Sequence, residues 1–223
     1  MIPPRQNADF VAHMEDVLDL YCRPYDPDYP VVNMDEQPIQ LVKETRRPLA
    51  ASPGQTERFD YEYERGGVAN AFMFVEALAG WRNIDVRERK TASDWAAEIK
   101  ALLNGRYANA KKVILICDNL NTHKIAALYE VFEPEEARAL ARRLEIHPTP
   151  KHGSWLNIAE CELSAFTRQC LTGRRVPDMA TLVETVCLWQ TDRNARQKGV
   201  AWRFTTDDAR IKLSQLYPEI KMS

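Results

Sequence analysis

The chain has 223 residues, enough for one domain of ordinary size, of which 45% are hydrophobic and 28% charged. No apolar run approaches the length needed to span a bilayer and no basic-then-apolar leader follows Met1, so a cytoplasmic protein is expected rather than a membrane or exported one. A formal charge of -2 excludes the strongly basic profile of a free-standing nucleic-acid binder, and five scattered cysteines without a CxxC pair exclude a disulfide framework or a zinc knuckle and read as reduced, mostly buried thiols.

In chain order, Phe10, Met14, Val17, Leu18 and Tyr21 recur at helical spacing after an Asn7 or Asp9 cap, and Pro24 stops the helix. Pro24, Pro27 and Pro30 make an extended connector. VVNMDE (31–36), β-branched and followed by Pro38, predicts a strand ending at Asp35, on the same face as Val31 and Asn33. RFDYEYER (58–65) alternates aromatic and polar residues as a strand or extended arm before Gly66 and Gly67. AFMFVEAL (71–78) and WRNIDVRE (81–88) flank Ala79-Gly80 as a β-hairpin.

Thr91 with Asp94 is a capping-box pattern that opens the helix DWAAEIKALL, closed by Asn104-Gly105. KVILIC (112–117) shows no alternation and predicts a strand buried on both faces. PEEARALARRL (134–144) is an amphipathic helix, EIHPTP (145–150) a short strand, and IAECELSAFTRQCL (158–171) a helix capped by Asn157. Helices around 178–192 and 207–217 follow. Three strands in meander order, then helix, strand, helix, strand, helix, is a mixed α/β plan, and an RNase H-like fold, a mixed five-stranded sheet flanked by helices, has that order.

Three acids stand where such a sheet places chemistry. Asp118 ends the buried strand, at the crevice where open α/β sheets bind ligands, although it can equally start a turn shared with Asn119, Asn121 and Thr122. Asp35 ends the first strand, with a turn through Glu36 and Pro38 as its alternative. Glu160 has capping-box spacing to Asn157, which would occupy its carboxylate. A sheet that sets the first and fourth strands side by side brings Asp35 and Asp118 together, and two unpaired carboxylates call for a hard divalent cation such as Mg²⁺. A third acid from the later helix completes a pair of metal sites of the kind used for in-line phosphoryl transfer. Glu160 and Glu162 compete for that role, but they lie about 200° apart around a helix, so only one can face the site.

MDEQ (34–37), DYEYERGGVAN (60–70), LICDNLNTHK (115–124), HPTPKHGSWLNIAECELS (147–164) and WRFTTDDARIKLSQLYP (202–218) resemble the bacterial insertion-sequence transposases related to mariner elements, in the DDE transposase and retroviral-integrase superfamily. The resemblance covers nearly the whole chain. It implies a catalytic domain with the triad Asp35, Asp118 and Glu160, which hold two Mg²⁺ ions, replaceable by Mn²⁺. The implied reaction is cleavage at transposon ends followed by transfer of the liberated 3′-OH into target DNA. Double-stranded DNA is then the partner, a homodimer on DNA the working form, and a bacterial cytoplasm the location. The implied organisation is an N-terminal helix and proline-rich connector (1–30), an RNase H-like core (31–175) and C-terminal helices packed on or extending it (176–223). Relatives carry helix-turn-helix modules before the catalytic domain, so a separately encoded DNA-binding part is expected.

Other residues carry paired readings. Asn119, His123, Lys151, His152 and Asn157 are candidates for supporting the acids or touching DNA, with Ser154 in the same polar loop. Trp155 can stack on a base or belong to the core. Arg82, Arg87, Arg89, Lys90, Arg174, Arg175, Arg193, Arg196 and Lys198 are the local positive charge that a phosphate track requires. An RNase H-like nuclease that cuts without joining, and an inactive remnant, are the competing functions. A two-carboxylate glycosidase leaves the third acid without a role.

Overall fold

The computed structural model describes residues 6–45, 52–55, 62–196 and 199–219. Its strands are β1 (Val31–Glu44), β2 (Tyr63–Glu76), β3 (Trp81–Arg87), β4 (Val113–Cys117) and β5 (Leu144–Pro148). They form one sheet in the order β3-β2-β1-β4-β5. The β3-β2-β1 meander is antiparallel, while β4 and β5 run parallel to β1. The helices are α1 (Ala8–Tyr21), α2 (Ala92–Asn104), α3 (Ile125–Val131), α4 (Pro134–Arg142), α5 (Ile158–Phe166), α6 (Met179–Ala195) and α7 (Thr206–Lys212). This is the expected mixed five-stranded sheet flanked by helices. Among the described residues no helix is long and apolar enough to cross a membrane.

Alternation along the strands sorts the core into two layers, one on each sheet face. Val32, Met34, Phe72, Phe74, Val113 and Leu115 meet Trp95, Ile99 and Leu103 of α2, Leu128 of α3 and Leu140 of α4. The opposite face carries Ala71, Met73, Ile114 and Ile116 against Met14 and Leu18 of α1, Leu163 and Phe166 of α5, and Leu182 and Val186 of α6. The predicted caps form as read: Phe10 N–H donates to Asn7 Oδ1 at 3.0 Å, and Thr91 with Asp94 closes a reciprocal capping box.

Three expectations change. The first strand does not stop at Asp35 but continues through Pro38 to Glu44. Pairing with β4 ends at Asn33, so beyond that residue one edge of β1 has no strand neighbour, and an exposed proline there removes no ladder bond to β4. Gly66 and Gly67 do not separate an arm from the hairpin: β2 runs through them with a register shift opposite Leu41 and Val42, and Gly67 has φ +101°. The pair is therefore a bulge inside one strand; residues 58–61 of the expected arm lie outside the described residues. Finally, of the five cysteines only Cys117 is buried, while Cys22, Cys161 and Cys187 are exposed.

The far edge of the sheet is covered by side chains. Asn194 of α6 accepts from Arg82 N–H and donates to Arg82 carbonyl, both at 2.8 Å, and Gln190 accepts from Ile84 N–H at 2.8 Å. These amides occupy the free ladder groups of β3, which blunts an otherwise sticky edge and fixes α6 to the hairpin.

Candidate functional site

Strand parity decides which acids can meet. Val32 and Met34 face α2, so Asp35 points to the opposite face; Ile114 and Ile116 lie on that same opposite face, and continuing the alternation carries Asp118 to it as well. The α5 helix packs on this face. Asp35, Asp118 and Glu160 accordingly line one cavity of about 600 Å³, together with Asn119, Leu120, Thr149, Pro150, Lys151, His152, Ser154 and Asn157. It opens where β1 and β4 part company, beyond the carboxyl end of β4.

Asn157 fixes the third acid relative to the first. Its Oδ1 accepts from Ala159 N–H at 3.1 Å, capping α5, while its Nδ2 donates to Met34 carbonyl at 3.0 Å, next to Asp35 in the chain. The backbone N–H of Asn157 donates instead to Ser154 carbonyl at 2.9 Å. The capping-box alternative for Glu160 is thus not formed, and its carboxylate stays exposed at the cavity.

Glu162 is the other acid of the pair, and it points away. Its carboxylate is buried and bonded by Arg82 of β3 and Arg193 of α6, at 2.9 and 2.6 Å. Burial alone would raise its pKa, but the two guanidinium groups hold it below the usual carboxylate range.

The electrostatics of the cavity run the other way. Burial pushes the Asp35 carboxyl up to about 6; the Glu36 N–H opposes this, and the negative charges of Asp118 and Glu160 add to it. Among the described residues the one hydrogen bond at that carboxylate comes from the Glu36 N–H at 2.8 Å. Among the described residues neither Asp35 nor Glu160 has an ion-pair partner. Asp118 differs, because His123 Nδ1 lies 2.6 Å from its Oδ1 while His123 Nε2 lies 2.9 Å from Glu36 Oε1. Burial opposes a charge on this ring, yet its contacts with Asp118, Cys117 and Glu36 outweigh that and push it up to about 12, which favours the protonated ring between two carboxylates. It also stacks on Trp95 at 5.9 Å.

Three carboxylates lining one cavity, mutually repulsive, two of them without an ion-pair partner among the described residues, are a donor set suited to a hard divalent cation. Asp118 Oδ1 is held by His123 Nδ1 at 2.6 Å, which fixes the orientation of that acid at the cavity. Among the described residues, however, no group of three or more His, Cys, Asp or Glu side chains is arranged to hold an ion. The acids share a cavity without forming a closed coordination shell.

The remaining candidates divide. Asn119, Lys151, His152 and Ser154 line the cavity and are exposed. Trp155 packs against the core and meets Phe204 edge-on at 5.8 Å, so it is no free stacking platform. The expected basic track loses Arg82, which is buried against Glu162, and Arg193, which shares the same carboxylate. Arg87 pairs with Glu98, Arg175 with Glu44 at 2.6 Å, and Arg196 with Asp192 at 2.8 Å. Arg89, Lys90 and Arg174 remain exposed, and Lys198 lies outside the described residues. Glu36 escaped the sequence reading, since a Glu beside a strand-end Asp looks like turn chemistry until the strand is seen to continue.

The family model described as DDE superfamily endonuclease matches residues 30–183. Among curated proteins, none matches this sequence. Of solved structures, the Mos1 strand transfer complex aligns with a TM-score of 0.65 at 15% identity, covering 99% of this chain and 66% of that one. The catalytic domain of Mos1 mariner transposase aligns at 0.59 and 13% identity, covering 98% and 100%. The Mos1 mariner paired end complex with Mn aligns at 0.56 and 17%, covering 89% and 61%. At such identities the likeness is one of fold, and this chain spans between 61% and 66% of the length of the Mos1 chains in those two complexes.

Proposed function

Because this chain belongs to the DDE superfamily endonucleases, we propose that it is the catalytic domain of a mariner-related transposase that cuts DNA at transposon ends and joins the 3′-OH to a target. The observation that carries the reading is the convergence of Asp35, Asp118 and Glu160 on one cavity from β1, β4 and α5. These three residues would hold two Mg²⁺ ions, with Mn²⁺ as a substitute; Mos1 paired end complexes are known with each metal. When bound, the ions lower the pKa of an attacking water or 3′-OH and stabilise the leaving oxygen.

The chain's own residues prepare that chemistry. His123 holds the Asp118 carboxylate in one orientation and compensates part of its charge, with Glu36 anchoring the far side of the ring. Asn157 ties the start of α5 to β1, so Glu160 is presented from a fixed helix end. The negative charges of Asp35, Asp118 and Glu160 together disfavour a DNA phosphate in the cavity, which a bound cation would offset.

In this reading residues 31–175 are the catalytic core, 1–30 a helix and proline-rich connector, and 176–223 helices packed on or extending it. The working form is a homodimer on double-stranded DNA in a bacterial cytoplasm, and recognition of the ends rests on a helix-turn-helix part. A supercoiled plasmid target with pre-cut transposon-end duplex tests it: Mg²⁺-dependent joined product supports the transposase. Cleavage without joining would favour an RNase H-like nuclease, and neither activity an inactive remnant.

A further inference from the structure

The one non-glycine residue with positive φ among the described residues is His152, at +69°, and it lies on the wall of the acid-lined cavity. Gly153 N–H donates to Pro150 carbonyl at 2.8 Å, so Pro150–Gly153 is a hydrogen-bonded turn with its left-handed residue at the third position, the position of a type II turn that glycine normally fills. The glycine stands one place later for a different reason: a Cβ on Gly153 would lie 2.5 Å from Pro150 Cγ and 2.9 Å from its carbonyl oxygen. His152 therefore carries left-handed strain that a glycine would relieve.

Both Lys151 and His152 are exposed, and neither makes a hydrogen bond or ion pair among the described residues. A strained, exposed, unpartnered ring beside three acids is a functional placement rather than a packing solution. The acids repel a phosphodiester, and of the residues lining the cavity Lys151 and His152 are the two basic ones.

We propose that the Pro150–Gly153 turn is the phosphate-docking element of the site, seating one backbone phosphate of the DNA strand beside the acids through the Lys151 ammonium and an imidazole N–H of His152. The inference deepens the DNA reading above and rests on it. The chain carrying His152→Gly, His152→Ala or Lys151→Ala is compared with wild type by thermal melting and by titration of a random-sequence DNA duplex over a range of salt.

The glycine variant should melt ~2–4 °C higher, as relief of left-handed strain predicts, while binding the duplex ~10-fold more weakly for loss of a hydrogen bond to a charged group. The alanine variant should show the same loss of affinity without the gain in melting temperature. Lys151→Ala should also reduce the salt slope by about 0.9. A glycine variant that binds as tightly as wild type overturns the proposal, and so does one that melts lower, since the ring would then be serving the fold. Wild-type protein that binds no duplex even at low salt would sink the DNA reading itself, a separate outcome from the failure of the turn.

Discussion

Two carboxylates on α5, Glu160 and Glu162, sit two residues apart in sequence and in opposite physical worlds. Glu160 is exposed in a cavity with two other acids and has no ion-pair partner among the described residues, whereas Glu162 is buried between Arg82 and Arg193. The same side chain on the same helix is thus set up for chemistry on one face and for cohesion on the other. A buried acid with two guanidinium groups has no capacity left for an ion or substrate, and an exposed one without partners adds little to stability.

The largest expected effect breaks the comparison from the cavity side. On the proposed reading, Asp35→Asn, Asp118→Asn or Glu160→Gln should each reduce metal-dependent DNA cleavage by on the order of 10³-fold or more, because each would remove a charged ligand of a transition-state-stabilising ion. Circular dichroism and melting curves should stay near wild type, above all for Glu160→Gln. Substantial cleavage by Asp118→Asn would refute the assignment.

From the cohesive side, Glu162→Ala should cost ~3–5 kcal/mol of stability, as expected when one partner of a buried ion pair leaves the others uncompensated. Denaturant titration measures it. The pH dependence has a definite sign. The folded pKa of Glu162 lies below its unfolded value, so its contribution is complete above the unfolded carboxylate pKa and is lost as pH falls through the folded one. The stability gap between wild type and Glu162→Gln should therefore narrow on acidification from neutral pH; a gap that widens would mean the arginines do not hold the charge.

A smaller effect is expected at His123, which touches one of the acids without lining the cavity. His123→Ala should lower cleavage by ~10–100-fold and weaken divalent-metal binding, as loss of a ligand-orienting group does. Calorimetric metal titration separates this from a folding defect. At the bottom of the scale, Arg196→Ala removes an exposed ion pair to Asp192 and should change stability by less than ~0.5 kcal/mol. A cost comparable to that of Glu162→Ala would show that burial is not what separates the two kinds of pair.

The sequence determined a good deal unaided. Period and caps marked α1, α2 and the buried β4, because amphipathic spacing and an Asn7 or Thr91 cap are local physics that the chain carries with it. Asp118 was readable as a strand-end acid and Asp35 as an acid of the first strand, though not its last residue, and the 200° rule already forbade Glu160 and Glu162 from sharing a site. Spacing alone did not say which of the two faced the cavity; the family resemblance implied Glu160, while the physical reason lies with Arg82 and Arg193, 80 and 31 positions from Glu162 in the chain. Local signals also misled where neighbours overrode them. Pro38 and Gly66-Gly67 look like breaks, yet β1 and β2 run through them, since one edge of β1 has no β4 partner beyond Asn33 and the glycines absorb a bulge. Basic residues looked alike in sequence, but Arg82 is in the core and Lys151 at the cavity. Only tertiary structure decides burial and partners, and for an ionisable side chain those two quantities set its charge, its freedom and its use.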